Sequence, residues 1–181
     1  MPDQGPIAVD AMGGDGAPQS IVRGALEAVN DIGIPVQLVG PQKRLRRELG
    51  RFRMLPSGLE LVDAPDVVAM KDPAISVLRG KRHSSLNVCA ELVREGRATA
   101  MVTAGNTGAA WVAAKSALGM IDGVDRPALA AVVPKNEGQT LVLDVGANME
   151  CKPHQLLQFA VMGSFYAEEV LGVSSPKVGL M

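Results

Sequence analysis

The stretch Ile7-Ala8-Val9-Asp10-Ala11-Met12-Gly13-Gly14-Asp15 decides the predicted fold. It begins with a short apolar run that ends in a carboxylate, and it continues directly into a glycine-rich loop. A short apolar run bounded by turn residues is typical of a buried strand. A helix is predicted next, over residues 19–30, because Val22, Leu26 and Val29 lie on one helical face. The stretch therefore predicts a strand, a glycine loop and a helix in succession.

The same alternation continues along the chain. Strands are predicted over residues 7–10, 35–39, 59–62, 100–103, 129–133, 141–145 and 177–181. Helices are predicted over residues 19–30, 42–49, 72–78, 86–94, 107–118 and 153–171, with Asp72 and either Ser84 or Ser85 as N-caps. Strands that alternate with helices indicate a mostly parallel sheet covered by helices. Because the chain has 181 residues and a domain usually has ~150, we expect a single α/β domain over residues 1–181.

The last residues resemble the opening of a buried strand and not a polar tail. Val178, Gly179, Leu180 and Met181 are all small or apolar. We therefore expect the chain to be a portion of something longer, incomplete at its C-terminal side. The alternative is an edge strand that ends the fold.

Composition excludes several classes of partner. The chain has 18 basic and 19 acidic residues, a balance that argues against a broadly basic nucleic-acid face. Aromatic residues supply only 3% of the chain, so platforms for base stacking are not expected. Cys89 and Cys151 lack CxxC spacing, which excludes the common zinc motif and fits a reducing cytoplasm. Residues 1–6 resemble no secretory signal, and we expect a soluble cytoplasmic protein.

Three glycine-rich segments each follow a predicted strand. They are Gly13-Gly14-Asp15-Gly16-Ala17-Pro18, Ala104-Gly105-Asn106-Thr107-Gly108 and Gly146-Ala147-Asn148-Met149-Glu150. In an open α/β sheet, the loops that leave the carboxyl ends of the strands converge on a crevice where ligands bind. Backbone N–H groups of glycine loops and helix N-termini favour anions there. The three loops together predict a site for phosphate or another oxyanion, although none matches GxxxxGK[ST] or GxGxxG and each alone could be a tight turn.

Charged side chains stand beside these loops. Asp10, Asp15, Asp144 and Glu150 lie at or next to strand ends. Helix capping is the simpler role for Asp15, whereas Asp10 and Asp144 end apolar strands and need partners such as Arg126, Lys152 or backbone amides. Among the cations, Lys81, Arg126 and Lys152 each adjoin a loop or a helix start and could meet an anion. Cys89 is expected in the core, and no serine or cysteine nucleophile motif is present.

The same segments carry a resemblance to a known family. The opening stretch, Thr103-Ala104-Gly105-Asn106-Thr107-Gly108-Ala109, the DGVDRPA segment over residues 122–128 and Asp144-Val145-Gly146-Ala147-Asn148 resemble the phosphate acyltransferases (PlsX) of bacterial phospholipid synthesis. The helix that begins at Lys152-Pro153 continues the match in the same order, so the resemblance covers nearly all of the chain.

The resemblance implies a fold similar to those of phosphate acetyltransferases and of isocitrate and isopropylmalate dehydrogenases. It implies transfer of a fatty acyl group from acyl carrier protein to inorganic phosphate, giving an acyl phosphate for phosphatidic acid synthesis by a membrane glycerol-3-phosphate acyltransferase. It further implies a homodimer, loose association with the membrane, no metal and no cofactor. Two alternatives remain open: a phosphate acetyl- or butyryltransferase that uses coenzyme A, and a truncated, non-catalytic chain that binds anions.

The implied chemistry assigns roles to the candidate residues. Phosphate is a competent nucleophile once it is held against the thioester carbonyl, and N–H groups of the glycine loops can stabilise the oxyanion. Lys81, Asn106, Asn148 and Lys152 are the catalytic candidates, which place phosphate or the acyl carbonyl. The substrate-binding candidates are Asp10, Gly13, Gly14, Asp15, Thr103, Gly105, Thr107, Gly108, Arg126, Asp144 and Gly146.

The chain departs from the family pattern at a few positions. Gly16 stands where a histidine is often found, Thr103 where serine is common, and Lys71 and His83 at places that alter the charge around Lys81. Family members also continue beyond the position of Met181, so the expected cleft is only half built.

Overall fold

The computed structural model describes residues 5–146, 148 and 150–181. Ala147 and Met149, which belong to the third glycine segment, lie outside the described residues. The chain divides into two compact units, Met1–Gly119 and Met120–Met181. The expectation of a single domain over residues 1–181 stays a prediction.

The first unit is built on a four-stranded parallel sheet. Its strands are β1 (Ile7–Asp10), β2 (Val36–Gly40), β3 (Leu59–Asp63) and β4 (Ala100–Val102). Their order is β3-β2-β1-β4, and Val9 of the central β1 pairs with Leu38 of β2 and Val102 of β4. Since parallel strands need crossover connections, the helices between them must cover the faces of the sheet.

Helices cover both faces, as the alternating pattern predicts. The helices are α1 (Gln19–Glu27, followed by a π-helical turn over Ala28–Ile32), α2 (Gln42–Leu49), α3 (Ser76–Arg79), α4 (Ser85–Arg94) and α5 (Thr107–Leu118). Val22 of α1 and Leu45 of α2 pack with Leu38 on one face, whereas Cys89 of α4 packs with Val39 on the other. The predicted α/β class and the core position of Cys89 are confirmed.

Local sequence explains several of the helix boundaries. The Ser84 hydroxyl accepts a hydrogen bond from the Asn87 N–H at the start of α4, and Gly96 follows the end of α4 with φ +69°. The Asn106 side chain caps α5 by accepting from the Ala109 N–H at 3.0 Å. The predicted bounds of α2 and α5 are those of the structure.

The second unit contains an antiparallel hairpin and a long helix. The hairpin joins β5 (Ala130–Pro134) to β6 (Gln139–Leu143), and α6 spans Pro153–Glu169. Gly163 of α6 lies so close to the hairpin that a Cβ atom there would be 2.8 Å from Leu143 Cδ1. Phe159 and Ala167 are the apolar residues of α6 that are buried.

Three expectations about these elements are wrong. The third glycine segment follows β6, which pairs antiparallel to β5 and is no strand of the parallel sheet. Residues 177–181 form no strand, because none of the described strands pairs with them. Asp72 does not cap a helix over residues 72–78: α3 begins only at Ser76, and Asp72 contacts Lys81 instead.

Candidate active site

The loops that leave β1 and β4 meet around the carboxylate of Asp10. One oxygen of this carboxylate accepts the Met12 N–H at 3.0 Å, and the other accepts the Thr103 hydroxyl at 2.7 Å. The same hydroxyl oxygen accepts the Gly105 N–H at 3.0 Å. Asp10 is only 2% exposed, so these donors replace the water that its charge would otherwise need. One backbone amide, that of Met12, does serve as a partner of the Asp10 carboxylate, and the Thr103 hydroxyl completes the network.

Two glycines allow this meeting of loops. A Cβ atom on Gly13 would stand 2.7 Å from Asp10 Oδ2, from Thr103 Oγ1 and from the Gly105 nitrogen. A Cβ on Gly105 would stand 3.0 Å from the Cα of Gly13. Gly14 has φ +92°, a left-handed conformation that L side chains rarely adopt. Gly13 and Gly105 are therefore required, because any larger residue at either position would overlap the opposite backbone. The first two predicted glycine loops do converge.

Asn106 ties a third segment to this edge of the sheet. We call residues 67–74, between β3 and α3, the strap loop. The Asn106 side-chain nitrogen donates to the carbonyl oxygens of Ala69 (3.3 Å), Met70 (3.0 Å) and Asp72 (2.9 Å). Its oxygen caps α5, so both ends of the amide are engaged.

Lys81 also contacts the strap loop, through its side-chain ammonium. Its ammonium donates to Asp72 Oδ2 at 2.5 Å and to the Val67 carbonyl oxygen at 2.7 Å. The Lys81 ammonium, with a further bond from the Ala69 N–H, holds the pKa of the Asp72 carboxyl below its ordinary value. Lys81 and Asn106, both singled out from the sequence, therefore grip the same loop.

The first turn of α5 keeps backbone donors next to these residues. The first N–H groups of a helix have no intrahelical acceptor. Asn106 takes the N–H of Ala109, while those of Thr107 and Gly108 donate to no other described residue. Thr107 and Gly108 are also exposed, which leaves their N–H groups open to an anion.

The first glycine loop behaves differently from the expectation at Asp15. Asp15 is exposed, and α1 has no side-chain cap, since Pro18 occupies the N-cap position. The capping role considered for Asp15 is therefore wrong. Its side chain stands in solvent beside Gly14.

In the second unit, Asp144 organises a separate group of candidates. Asp144 has φ +63°, and its Oδ1 accepts the N–H (3.1 Å) and the side-chain amide (2.9 Å) of Asn148. Its Oδ2 accepts the thiol of Cys151 at 3.2 Å, and this hydrogen bond, followed by burial, raises the pKa of Cys151. Gly146 completes the turn with φ +86°, its N–H donating to the Asp144 carbonyl oxygen.

Arg126 and Asn148 contact each other. Arg126 Nη1 donates to Asn148 Oδ1 at 3.5 Å, and the Asn148 amide nitrogen donates to the Pro127 carbonyl oxygen at 3.3 Å. Arg126 is exposed, so its remaining guanidinium donors face solvent. A backbone amide, that of Asn148, is a partner of Asp144 as expected. The Asn148 side chain and the Cys151 thiol are further partners, whereas Arg126 contacts Asn148 instead.

Lys152 lies at the start of α6. Its N–H donates to Gln155 Oε1 at 2.9 Å, and the Gln155 N–H donates back to its carbonyl oxygen at 2.9 Å. The Lys152 side chain is exposed, and its ammonium forms no ion pair with a carboxylate of the described residues. An exposed cation at a helix start is available to an anionic ligand.

Sequence reasoning missed the side chains that hold the Arg126 segment. Gln158 donates to the Gly123 carbonyl oxygen (2.7 Å) and accepts from the Asp125 N–H (3.1 Å), while His154 Nε2 lies 2.6 Å from Asp125 Oδ2. No local sequence signal could have found them, because these contacts join α6 to residues about thirty positions earlier in the chain. Asp72 was missed as the partner of Lys81, because nothing in the local pattern links two residues across a turn.

The candidates thus form two groups. Asp10, Gly13, Thr103 and Gly105 adjoin the Lys81–Asn106 pair in the first unit, whereas Asn148, Lys152, Arg126 and Asp144 lie in the second. Within the described part of the chain, no three His, Cys, Asp or Glu side chains are grouped so that they could hold a metal ion. No described helix is both long enough and apolar enough to cross a bilayer.

Comparison with known proteins gives consistent matches. A family model described as "Fatty acid synthesis protein" matches residues 6–181. The chain is 50% identical over 177 residues to a phosphate acyltransferase of Pelotomaculum thermopropionicum, covering 97% of this chain and 51% of that protein. It is 49% identical to the phosphate acyltransferase of Desulforamulus reducens and 46% identical to that of Geobacter sulfurreducens, again over 97% of this chain and 52% and 51% of theirs. The chain spans about half the length of these curated relatives.

Proposed function

The chain belongs to the fatty acid synthesis protein family, and from that membership we propose that it takes part in transferring a fatty acyl group from acyl carrier protein to inorganic phosphate. The product is an acyl phosphate, which a membrane glycerol-3-phosphate acyltransferase consumes in phosphatidic acid synthesis. The relatives that are about 50% identical carry the name phosphate acyltransferase, and this name supports the acyl-transfer class.

The proposed reaction needs positioning more than acid–base chemistry. A phosphate oxygen attacks the thioester carbonyl carbon, a C–O bond forms, and the C–S bond breaks to release a thiolate that takes up a proton. Phosphate needs cations and N–H donors to hold it, and the carbonyl oxygen needs donors as it gains negative charge. Both requirements are for fixed hydrogen-bond donors.

The observation that carries the proposal is the meeting of the β1 and β4 loops beside the first turn of α5. Two hydrogen bonds hold the two loops together: the Thr103 hydroxyl donates to Asp10 Oδ2 at 2.7 Å, and the Gly105 N–H donates to the Thr103 hydroxyl oxygen at 3.0 Å. This rigidity supports a role for the Thr107 and Gly108 N–H groups as anion donors, since a preorganised donor does not have to reorganise during the reaction.

We propose distinct roles for the four catalytic candidates. Lys81 in the first unit and Lys152 in the second each supply positive charge to an anionic group of a substrate, and Asn106 and Asn148 each orient donors within their own unit. Asn106 acts through the strap loop and α5, because its amide contacts Asp72 and Ala109. Asp10 and Asp144 hold their loops. Gly13, Gly14 and Asp15 line the substrate side of the loop after β1, and Gly146 lines that of the loop after β6.

The proposed acyl donor, partner, oligomeric state and location are those that the family resemblance implies. The donor is acyl carrier protein, the functional partner is a membrane acyltransferase, and the active form is a homodimer in the cytoplasm with loose membrane association. No nucleic acid is involved, and no metal or cofactor is required. A second candidate is a non-catalytic chain that binds anions, favoured by the exposure of Thr107 and Gly108 at the first turn of α5.

The testing experiment measures release of the carrier-protein thiol from palmitoyl-ACP by the purified 181-residue chain, with and without phosphate. Palmitoyl-CoA is assayed in parallel, and hydroxylamine traps the acyl phosphate as a hydroxamate. We expect phosphate-dependent release that favours the ACP substrate. Release from the CoA substrate alone would assign the chain to the acetyl- or butyryltransferases, and release from neither would assign it to the non-catalytic candidate.

Two variants test the residue roles. Asn106→Asp keeps an oxygen that can cap α5 but removes the nitrogen donor to the strap loop. Lys152→Gln removes a charge from an exposed side chain and leaves the backbone bonds to Gln155 in place. We expect both to lower the phosphate-dependent rate by at least about tenfold, as loss of one charged or oriented donor does. An unchanged rate in either variant contradicts that residue's assignment.

A further inference from the structure

The ammonium of Lys81 is already engaged by groups of the chain itself. It donates to the Asp72 carboxylate at 2.5 Å and to the Val67 carbonyl oxygen at 2.7 Å. Under the proposed function, on which this inference rests, the same ammonium supplies positive charge to an anionic group of a substrate. These two roles conflict, because an ammonium that is paired with a carboxylate attracts a second anion only weakly.

The Lys81–Asp72 pair lies where an anion can reach it. The two side chains are 34% and 23% exposed, so solvent contacts both of them. An ion pair of this exposure is held less firmly than a buried pair, because water and dissolved ions screen the attraction. An anion from solution can therefore compete with Asp72 for the Lys81 ammonium while the chain stays folded.

The backbone of the strap loop does not depend on this ion pair. The Asn106 side-chain nitrogen donates to three carbonyl oxygens of the loop. Near the start of the loop, Val68 is buried in a core cluster. At its end, the Ala74 side chain would stand 3.3 Å from a Cβ added to Gly108. Loss of the ion pair therefore moves two side chains and leaves the loop in place.

Asp72 keeps other partners when the ammonium leaves it. Its Oδ2 also accepts the Ala69 N–H at 2.7 Å. Lys71, the preceding residue, is exposed and forms no ion pair with a carboxylate in the part of the chain that the structure describes. A carboxylate that retains a backbone donor, a neighbouring cation and contact with water is not left without compensation for its charge. The free-energy cost of releasing Lys81 is correspondingly small.

Three hydrogen bonds connect the Lys81 ammonium with the first turn of α5. Lys81 donates to the Asp72 carboxylate, and the Asn106 amide donates to the Asp72 carbonyl oxygen. The Asn106 oxygen in turn accepts the Ala109 N–H. Two further N–H groups of that turn, those of exposed residues, donate to no other residue of the described ranges. A phosphate held by those N–H groups needs a cation beside it, and Lys81 can serve once Asp72 releases it.

We propose that Asp72 regulates this site as a built-in competitor, and that phosphate binds by taking the place of the Asp72 carboxylate on the Lys81 ammonium. Asp72 holds the ammonium until phosphate binds. Phosphate displaces the carboxylate because it bonds the ammonium and the α5 N–H groups at the same time. The observed binding constant is then the constant of the released site multiplied by the fraction of chains in which Lys81 is released.

The test is titration of the full 181-residue chain with inorganic phosphate at constant ionic strength, followed by NMR of the Thr107 and Gly108 amides. Asp72→Asn removes the charge and keeps an oxygen that can accept the Ala69 N–H. We expect it to lower the dissociation constant for phosphate at least about tenfold, which corresponds to Lys81 being released in no more than about a tenth of the original chains. Adding Lys81→Gln to Asp72→Asn should abolish this gain, because the gain acts through the ammonium.

The matched control is Asp63→Asn, which removes one carboxylate from the same unit. Asp63 is exposed, accepts the Gln42 N–H at 2.9 Å and pairs with no cation among residues 5–146, 148 and 150–181. It should change the dissociation constant less than about twofold, because salt screens its charge. An equal gain in this control, an unchanged constant in Asp72→Asn, or a gain that persists without Lys81 overturns the proposal.

The original chain gives a second measurement that does not depend on the folding of a variant. Because Asp72 Oδ2 accepts the Ala69 N–H, phosphate should shift the Ala69 amide resonance together with those of Thr107 and Gly108. Shifts at Thr107 and Gly108 with an unchanged Ala69 resonance, or no phosphate binding at all, overturn the proposal.

This test and the test of the proposed reaction fail separately, because phosphate binding is measured without an acyl donor. A chain that binds phosphate more tightly as Asp72→Asn, yet releases no thiol from palmitoyl-ACP, supports the exchange and contradicts the reaction. A chain that releases thiol in a phosphate-dependent way, yet binds phosphate equally with and without Asp72→Asn, contradicts the exchange alone.

Discussion

At the residue scale, one hydroxyl serves both the buried Asp10 carboxylate and a backbone N–H group. The Thr103 hydroxyl donates to Asp10 and accepts from the Gly105 N–H, so it satisfies two groups at once. Removing a hydrogen-bond partner from a buried charge leaves its desolvation uncompensated. A single side chain thereby joins the ends of β1 and β4, which are neighbours in the sheet.

Thr103→Val keeps the shape of the side chain and removes the hydroxyl. We expect the free energy of unfolding in urea to fall by about 2–3 kcal/mol, because Asp10 loses a donor and the Gly105 N–H loses its acceptor. Thr103→Ser, the matched control, keeps the hydroxyl and should cost less than about 1 kcal/mol. Equal losses in the two variants would show that the methyl group, and not the hydrogen bonds, stabilises this junction.

Asp72 makes stability depend on pH through its pairing with Lys81. Its pKa is lowered from the ordinary value of 3.8, so its contribution is fully present above that pH and is lost as the pH falls through the lowered value. We therefore expect unfolding measured by denaturant between pH 6 and pH 2, a window set by the linkage relation, to show a weaker acid dependence in Asp72→Asn than in the original chain. Lys81→Gln removes the largest cause of the lowered pKa of Asp72 and should weaken the acid dependence in the same way. A slope in Asp72→Asn equal to that of the original chain would contradict the prediction.

At the element scale, the way two loops cross limits which residues their sequence can contain. Gly13 and Gly105 face each other across the β1–β4 junction, and a Cβ on either would meet the backbone of the other within 3.0 Å. Backbone atoms move less easily than the ends of flexible side chains. The contact between Gly13 and Gly105 therefore restricts these two positions to glycine more strongly than the turn conformations do.

Gly13→Ala should destabilise the chain by about 2–3 kcal/mol, because the added methyl group overlaps three atoms that are themselves hydrogen-bonded. Gly24→Ala is the matched control: it adds the same methyl group within α1, where nothing lies within 4 Å of the new atom. That control should stabilise the chain by about 0.5–1 kcal/mol through helix propensity. Thermal and urea unfolding of both variants measure the difference, and a Gly13→Ala variant as stable as Gly24→Ala would rule out the steric argument.

Elements whose signal is local could be predicted from the sequence, and those whose signal is tertiary could not. The α2 and α5 boundaries follow from apolar periodicity and from the Asn106 cap, which lie within a few residues. The Asp72–Pro73 pair looks like a helix start, but the Lys81 ammonium competes for the carboxylate from nine residues away. The antiparallel pairing of β5 with β6 does carry a local signal, because two strands joined by only four residues, 135–138, pair as a hairpin.

The candidate site was predictable to the same degree. The glycines and Asp10 stand out because strand ends followed by glycine loops have a known geometry. The sequence singles out Asn106 as a polar residue of the second glycine loop, and in the structure its side-chain amide holds the strap loop. The contacts of Gln158 with Gly123 and Asp125 join residues more than thirty positions apart, which no spacing rule reveals.

At the scale of the whole molecule, buried apolar side chains are distributed unequally. Every member of the three core clusters lies between Ala8 and Ala113, inside the first unit. Among the described residues of the second unit, the buried ones are Gln155, Phe159 and Ala167. Apolar residues of α6 such as Leu157 and Phe165 are 67% and 63% exposed. Local stability follows buried contact, so the two units should open with different free energies.

Native-state hydrogen exchange of the 181-residue chain tests this inequality. We expect amides of β1 and β2 to exchange only through global unfolding, because those strands are central and paired on both sides. Amides of β6 and α6 should exchange at least about tenfold faster, through an opening that leaves the parallel sheet intact. Gly163 of α6, packed against Leu143, is the internal control, since its neighbourhood should be the slowest of the second unit. Protection as high in α6 as in β1 would mean that the units unfold together, and would support the prediction of a single domain over residues 1–181.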